Sequence, residues 1–553
     1  MIGAPTGQRA KAFGAYYTDG RVAAYLASWA TRLATDKVLD PSFGGGVFLE
    51  AAAVVLSGHG AVDGRNVYGV EIDPGVHHSV SRELIDQYAM VPKHLLQADF
   101  FSVAPASLPA FDAIVGNPPF IRYQSFSDAV RDQALARASA QGVELSRLSS
   151  SWAPFLVHAS GMLNKGGRLG LVLPTELLHA VYARPVLELL RSRFRFVNLI
   201  TFRVPLFPDL SQDTLLLQAE GYGENAEEFT LSEVHSLEDL PASAALPTTR
   251  RSLNMGQIAR GKERMATAYL PEPAKALYAE LGSASNTQRL GELASISIGY
   301  VSGANRFFNM SPRQAEERGL SRSSLVPAVF RGRALSAPSF TLEDWSAAAR
   351  QGSAGFLLKI DPHSQVDGAL KKYVLEGEKA EVHKGYKCRT RTPWYSVPGV
   401  MVPDGFITYM SGVAPSFAIN SASTTASNTL LAVSFRQPSK EVLSSVAIGW
   451  STALTRLSVE IEGHAMGGGM LKLEPREAQR ILVPRPGIGT PEDLLEIEAL
   501  VRKGKRRAAN ELADELLLRG RLGLTAQEIQ HLNTAALNLR DRRHRKWKEP
   551  LLS

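Results

Sequence analysis

The 553-residue chain contains a single cysteine, Cys388. One thiol excludes an intrachain disulfide and a cysteine-rich zinc site, and such scarcity fits a reducing compartment. No run approaches the roughly 20 apolar residues that a membrane-spanning helix needs. Residues 1–11 hold no apolar signal core. A Gly-Lys-Ser/Thr phosphate loop is missing, as is any cluster of metal-ligating residues, and neither internal repeats nor low-complexity tracts occur. The expectation is a soluble, cytoplasmic protein without a metal or a membrane attachment.

Charge is modest too, at 21% of residues and a net +7. Its placement is uneven. Residues 501–553 carry 13 lysines and arginines against 6 acidic residues, a surplus equal to that of the whole chain. Two clusters supply it, "RKGKRR" at 502–507 and "RDRRHRKWK" at 540–548. Such runs serve either as solvated helical surface or as phosphate contacts.

At roughly 100–200 residues per domain, the length predicts two to four domains. From about residue 37 to 220, short apolar runs alternate with helical spacing. Strands are expected at 37–40, 67–72, 94–98, 113–116, 169–173, 197–202 and 214–219, with helices at 46–56, 75–89, 151–163 and 176–192. This alternation predicts an α/β doubly wound, mostly parallel sheet, its last two strands forming an antiparallel edge. Beyond residue 222 the segments become shorter and richer in Ser, Gly and Thr, as expected of mixed strands and long loops, and helical spacing returns at 491. The expected division is 1–222, 223–490 and 491–553.

The chemistry gathers at the predicted strand ends, where open α/β sheets bind ligands. "VLDPSFGGGVFLEAA" (38–52) runs from a strand through a glycine turn into a helix. "VYGVEIDP" (67–74) ends a strand in Glu71 and Ile72, a carboxylate suited to ribose hydroxyls and a side chain suited to a flat ring. Glu71 equally suits a solvated strand end. "LLQADFFSV" (95–103) offers Asp99 and Phe100 as acceptor and ring cover, although Phe100 also reads as core. "FDAIVGNPPFIRY" (111–123) then holds Asn117 and Phe120 stiffly around Pro118 and Pro119, since neither proline donates a backbone hydrogen bond. An Asn-Pro-Pro-aromatic string arises by chance in about one chain in 200 of this length. Together with three other ordered strand ends, coincidence is remote.

In this order the motifs resemble those of the γ-class amino-group DNA methyltransferases of adenine-N6 type, found in type II restriction–modification systems. The similarity is clearest over residues 11–220 and extends to "GYVSGANRFF" (299–308) and "GGGMLKLEP" (467–475). "AFGAYYTDG" (12–20) resembles the family's first motif, Gly-x-x-Tyr-Thr-Pro, with Asp19 where proline is usual. The resemblance implies a Rossmann-like methyltransferase domain, a mixed α+β target-recognition domain and a basic helical tail. It implies S-adenosylmethionine as cofactor, bound by Tyr17, Thr18, Asp40, Gly44, Gly46, Glu71, Ile72, Asp99 and Phe100. Asn117, Pro118, Pro119 and Phe120 form the implied catalytic motif. The Asn117 side-chain oxygen and the Pro118 carbonyl would accept from both N–H groups of an adenine amine, freeing its lone pair for in-line methyl transfer. The target base would leave the duplex and stack on Phe120. "VPLFPDLSQDT" (204–214) places Phe207 as the opposite wall, with a core position as its alternative.

Double-stranded DNA is the expected partner. Arg122 is a candidate phosphate contact or a surface ion pair. In the second domain, "AEVHKGYKCRTRTPWY" (380–395) interleaves Lys384, Lys387, Arg389 and Arg391 with aromatic residues, and "GANRFF" (303–308) presents Asn305 and Arg306. These types suit phosphates and base edges; an exposed loop is the plainer reading. "EGEK" (376–379) lacks an aspartate partner for a nuclease. The few residues before the first motif predict no N-terminal nuclease, so a cognate endonuclease would act separately, and one recognition domain per chain predicts a working monomer. RNA or protein-glutamine methylation and a modification subunit are the alternatives, and cytosine N4 shares the pocket chemistry.

Overall fold

The structure is a computed structural model that describes residues 18–545 except 122–124, 179, 208–212, 227, 242–244, 467–468 and 488. Two compact units divide after Ala268.

The first unit is built on a nine-stranded sheet. Its strands are β1 (Val38–Asp40), β2 (Val67–Glu71), β3 (Leu95–Gln97), β4 (Phe111–Gly116), β5 (Leu163–Pro174), β6 (Phe194–Phe202), β7 (Thr214–Tyr222), β8 (Glu228–Val234) and β9 (Arg250–Ser252). Their spatial order is β3-β2-β1-β4-β5-β7-β6-β8-β9. β1 through β5 pair in parallel. Helices α1 (Gly20–Ala30), α2 (Val47–Gly58), α3 (Pro74–Tyr88), α4 (Asp128–Ala140), α5 (Trp152–Ser160) and α6 (Arg184–Arg193) complete the doubly wound half. β1 and β2 are buried at every position, as near-continuous apolar runs covered on both faces should be. Every residue of α5 is buried, matching its apolar sequence WAPFLVHAS. Asp19, where proline was usual, caps α1: its carboxylate accepts from Arg21 N.

β7 is antiparallel to both β5 and β6, but this pair is not an edge. β8 adds in parallel beside β6, and β9 pairs antiparallel to β8. The sheet therefore continues past residue 222, where the change in texture had suggested a boundary. Polar side chains explain the difference. Thr230 and Ser232 of β8 are buried, and both hydroxyls donate to Asn198 Oδ1 at 2.9 Å. Asn198 Nδ2 donates to Gln218 Oε1, and Gln218 Nε2 to the Tyr25 hydroxyl. The sheet interior is cross-linked by satisfied polar groups that a hydropathy reading places at the surface.

Among the described residues the second unit holds two four-stranded sheets, a three-stranded one and a two-stranded one. One sheet joins Ala294–Ile298, Leu430–Phe435, Gly405–Thr408 and Phe417–Ile419; another joins Asn309–Met310, Ala354–Leu358, Leu325–Val329 and Thr425–Ala426. The C-terminal helices are not a separate tail. Leu494, Ile497, Ala509 and Leu517 share one core with Ile296 and Leu431, while Leu532, Ala535 and Leu539 pack with Leu454 and Leu457. Among the described residues no single helix is long and apolar enough to cross a membrane; the bent pair Lys440–Gly449 and Ala453–Glu462 is apolar because it is core.

Candidate active site

The chain runs outward from β1 to β3, then returns to β4 on the other side of β1. That reversal is the topological switch point of the sheet, and the predicted motifs stand at its carboxyl ends. Asp40, the last residue of β1, is 1% exposed and accepts from Ser42 N at 3.0 Å. Burial, with the nearby Glu71 charge, pushes its carboxyl up to about 8. The glycine turn follows. Gly46 has φ +81°, and a Cβ there would lie 2.8 Å from Val80, so only glycine lets α2 begin this close to α3.

Glu71 ends β2 with both oxygens aligned. Oε2 accepts from Gly44 N at 2.9 Å and Oε1 from Asp73 N at 2.8 Å. Each oxygen keeps a second lone pair for a ligand. Ile72 beside it is 45% exposed, an apolar side chain left uncovered at the end of a wholly buried strand. Asp99 caps a short helical turn through Oδ1, which accepts from Phe101 N at 2.9 Å; its Oδ2 is unengaged among the described residues. Phe100 lies in the core instead. It is 4% exposed, and its ring centroid lies 4.7 Å from those of both Phe155 and His158. Burial lowers His158 to about 4.

At the end of β4 the Asn-Pro-Pro-Phe turn lies against the first motif. A Cβ on Gly116 would approach Asp40 Oδ1 to 2.8 Å, so this glycine is what brings the turn beside β1. Asn117 Nδ2 donates to Thr18 Oγ1 at 3.1 Å, which orients the amide, while Asn117 Oδ1 is buried without a partner among the described residues. Three carbonyls in succession are then used differently. Asn117 O accepts from Ser42 Oγ at 3.3 Å and Pro119 O from Ser151 Oγ, whereas that of Pro118 is unengaged among the described residues. Phe120 is buried at the turn, and Phe207 is half-buried on the segment after β6. Ser42, Gly116 and Ser151 were not anticipated; a small residue facing a rigid motif carries no signal of its own. Tyr17 and Arg122 lie outside the described residues.

In the second unit the two predicted segments form one surface. A Cβ on Gly303 would lie 2.7 Å from Lys387 Cβ. Arg391 donates to the carbonyls of Ser302 at 2.7 Å and Val301 at 2.6 Å, so it ties the segments together and is not presented outward. Lys384 is exposed and paired with Glu381. Arg306, Lys387 and Arg389 are exposed; the last two flank the ring of Tyr386, itself 67% exposed, each 5.5 Å from its centroid. Asn305, also exposed, accepts from Ser302 Oγ at 2.5 Å.

Residues 1–184 match the family model described as N-6 DNA Methylase, and residues 262–518 match that of the C-terminal domain of Type II methyltransferase M.Eco57I. Type II methyltransferase M.AccI of Acinetobacter calcoaceticus is 22% identical over 400 residues, covering 70% of this chain and 69% of the relative. M.XamI of Xanthomonas campestris pv. amaranthicola is 23% identical over 496 residues, covering 87% and 86%. Among solved structures, the type IIL restriction-modification enzyme MmeI in complex with DNA superposes with a TM-score of 0.52 at 12% identity, over 96% of this chain and 73% of that one, a likeness of fold.

Proposed function

We infer that this chain, an N6-adenine DNA methyltransferase of the type II restriction–modification kind, accepts the two amine hydrogens of its target adenine on Asn117 Oδ1 and the Pro118 carbonyl. The observation that carries this reading is the buried, unpartnered Asn117 Oδ1, with its amide orientation set by Thr18. A desolvated acceptor without a donor costs about 1–3 kcal/mol, and a substrate N–H relieves it. Two acceptors on one nitrogen favour a pyramidal geometry in which its lone pair is no longer delocalised into the ring. The base reaches this pocket by leaving the duplex, with Phe120 and Phe207 as its walls.

S-adenosylmethionine supplies an electrophilic methyl group on a sulfonium centre. The residues present fit it. Glu71 offers two pre-aligned oxygens to ribose hydroxyls, Ile72 an uncovered apolar face and Asp99 Oδ2 a remaining acceptor. Asp40 and the glycine turn close the site at β1. Phe100 supports this pocket from the core.

The surface formed by Asn305, Arg306, Lys387 and Arg389 around Tyr386 is the DNA contact of the second unit, with cations for phosphate and an exposed ring for a base or sugar. We read the enzyme as a monomer working in the cytoplasm beside a separate cognate nuclease.

The test is transfer of label from S-adenosylmethionine into unmethylated duplex DNA, with RNA and protein extract in parallel and the DNA digested to nucleosides. Label in N6-methyladenine that Asn117→Ala abolishes is the expected result. Label in N4-methylcytosine, RNA or protein would overturn the acceptor assignment.

A further inference from the structure

We propose that Ser151 is a positioning residue for methyl transfer, holding the Asn117–Ile121 turn so that its two acceptors face the target nitrogen. The need for such a residue is written in the motif. Two consecutive prolines remove two backbone N–H groups, so the turn has few donors with which to close on itself. Ser151 closes it from outside. Its Oγ donates to the Pro119 carbonyl and accepts from Ile121 N at 2.8 Å, and its own N–H donates to the Ile121 carbonyl at 3.0 Å. One residue thus fixes both sides of the turn immediately after the unengaged Pro118 carbonyl. At 1% exposure Ser151 is shut off from solvent.

Ser151 is itself held. It precedes α5 in helical conformation, φ −57° and ψ −31°. Trp152 Nε1 donates to the Tyr182 hydroxyl at 3.1 Å, Tyr182 donates to Glu176 Oε2, and Ser150 Oγ donates to the same oxygen at 3.5 Å. Burial and the Glu176 charge hold the Tyr182 proton well above its ordinary range, so the hydroxyl remains a donor at working pH. Glu176 and Tyr182 follow β5, the neighbour of β4. The end of one strand thereby sets the motif at the end of the next. Ser42 secures the other end of the turn through the Asn117 carbonyl. Between these two serines, the Pro118 carbonyl is the one without a partner among the described residues.

The inference rests on the amino-group methylation reading above. Its test compares full-length wild type, Ser151→Ala and Ser151→Thr, using labelled S-adenosylmethionine and unmethylated genomic DNA. It reads kcat for N6-methyladenine formation, KM for each substrate, and melting temperature. A displacement on the order of 1 Å at a reacting centre costs about 100-fold. Ser151→Ala is therefore expected to lose about 100-fold in kcat with both KM values within about twofold, and Ser151→Thr, which keeps the hydroxyl, to recover to within about tenfold of wild type. If the alanine variant does not fold, Ser151→Cys, with its weaker hydrogen-bonding thiol, takes its place under the same expectation. A kcat within about threefold of wild type would overturn the proposal. So would a loss carried by the KM for S-adenosylmethionine, or a folded threonine variant as slow as alanine. Wild type that labels no adenine would instead refute the functional reading on which the proposal stands.

Discussion

Replacing Asn117 by alanine should move stability and activity in opposite directions. The free protein carries a buried Oδ1 with no partner among the described residues, at a desolvation cost of about 1–3 kcal/mol. Against this stands the hydrogen bond from Nδ2 to Thr18 Oγ1 at 3.1 Å, worth about 1 kcal/mol. Alanine removes both. The balance leaves the variant between neutral and about 2 kcal/mol more stable. At roughly 2–4 °C per kcal/mol for a domain of this size, the melting temperature is unchanged or several degrees higher. Most substitutions destabilise by about 1 kcal/mol, so the sign is diagnostic. Activity falls steeply, because a preorganised hydrogen-bonding group at a reacting centre is worth about 10²–10³ in kcat, or about 3–4 kcal/mol. On the proposed role Asn117 meets the target amine and not the cofactor, so KM for S-adenosylmethionine is expected to change little. Calorimetry of the free protein and label incorporation into N6-methyladenine measure the two quantities. A variant that melts several degrees lower, or one within tenfold of wild-type kcat, would refute the assignment of Oδ1 as an empty acceptor awaiting substrate.

Asp40 makes the free protein sensitive to pH. Its folded-state value of about 8 stands above the ordinary 3.8, so the folded chain keeps a proton that the unfolded chain has lost. Stability therefore declines as pH rises through that window, and Asp40→Asn should flatten the decline in a series of melting curves. Arg543, at 2% side-chain exposure, pairs with Glu460 at 2.8 Å and also donates to the carbonyls of Gly412 and Val413. Arg543→Ala strands a buried carboxylate and should cost about 3–5 kcal/mol in denaturant titration. Arg507→Ala, at 93% side-chain exposure, should stay within about 0.5 kcal/mol; equal effects would return the C-terminal cluster to a solvated tail. Lys387→Ala and Arg389→Ala should each reduce the slope of log affinity for duplex DNA against log salt by about 1. Unchanged slopes in fluorescence anisotropy would remove this surface from the DNA interface.

What could be read in the sequence was whatever depends on near neighbours. Strand, turn and helix follow one another within a few residues, so β1 to β4 and the position of the motifs at their ends were legible from spacing. β8 was not, because its burial depends on Asn198, more than thirty positions away, which supplies acceptors for Thr230 and Ser232. The C-terminal arginines misled for the same reason: Glu460 lies 83 positions before Arg543, and a count of charges cannot see it. Phe100 shows the converse. Its motif placed it correctly in the chain, but Phe155 and His158 decide which way its ring faces. A motif is a record of groups that must meet substrate atoms, and its residue types are fixed by that chemistry. The groups that hold the motif need only deliver one hydrogen bond at the right point. Many residue types at many positions can do that, so they leave no pattern along the chain. Ser151 reaches Pro119 across 32 positions, and nothing in either segment announces the other. Closing the turn therefore falls to residues that only the fold can identify, and variation at such positions can alter rate while the motif itself stays intact.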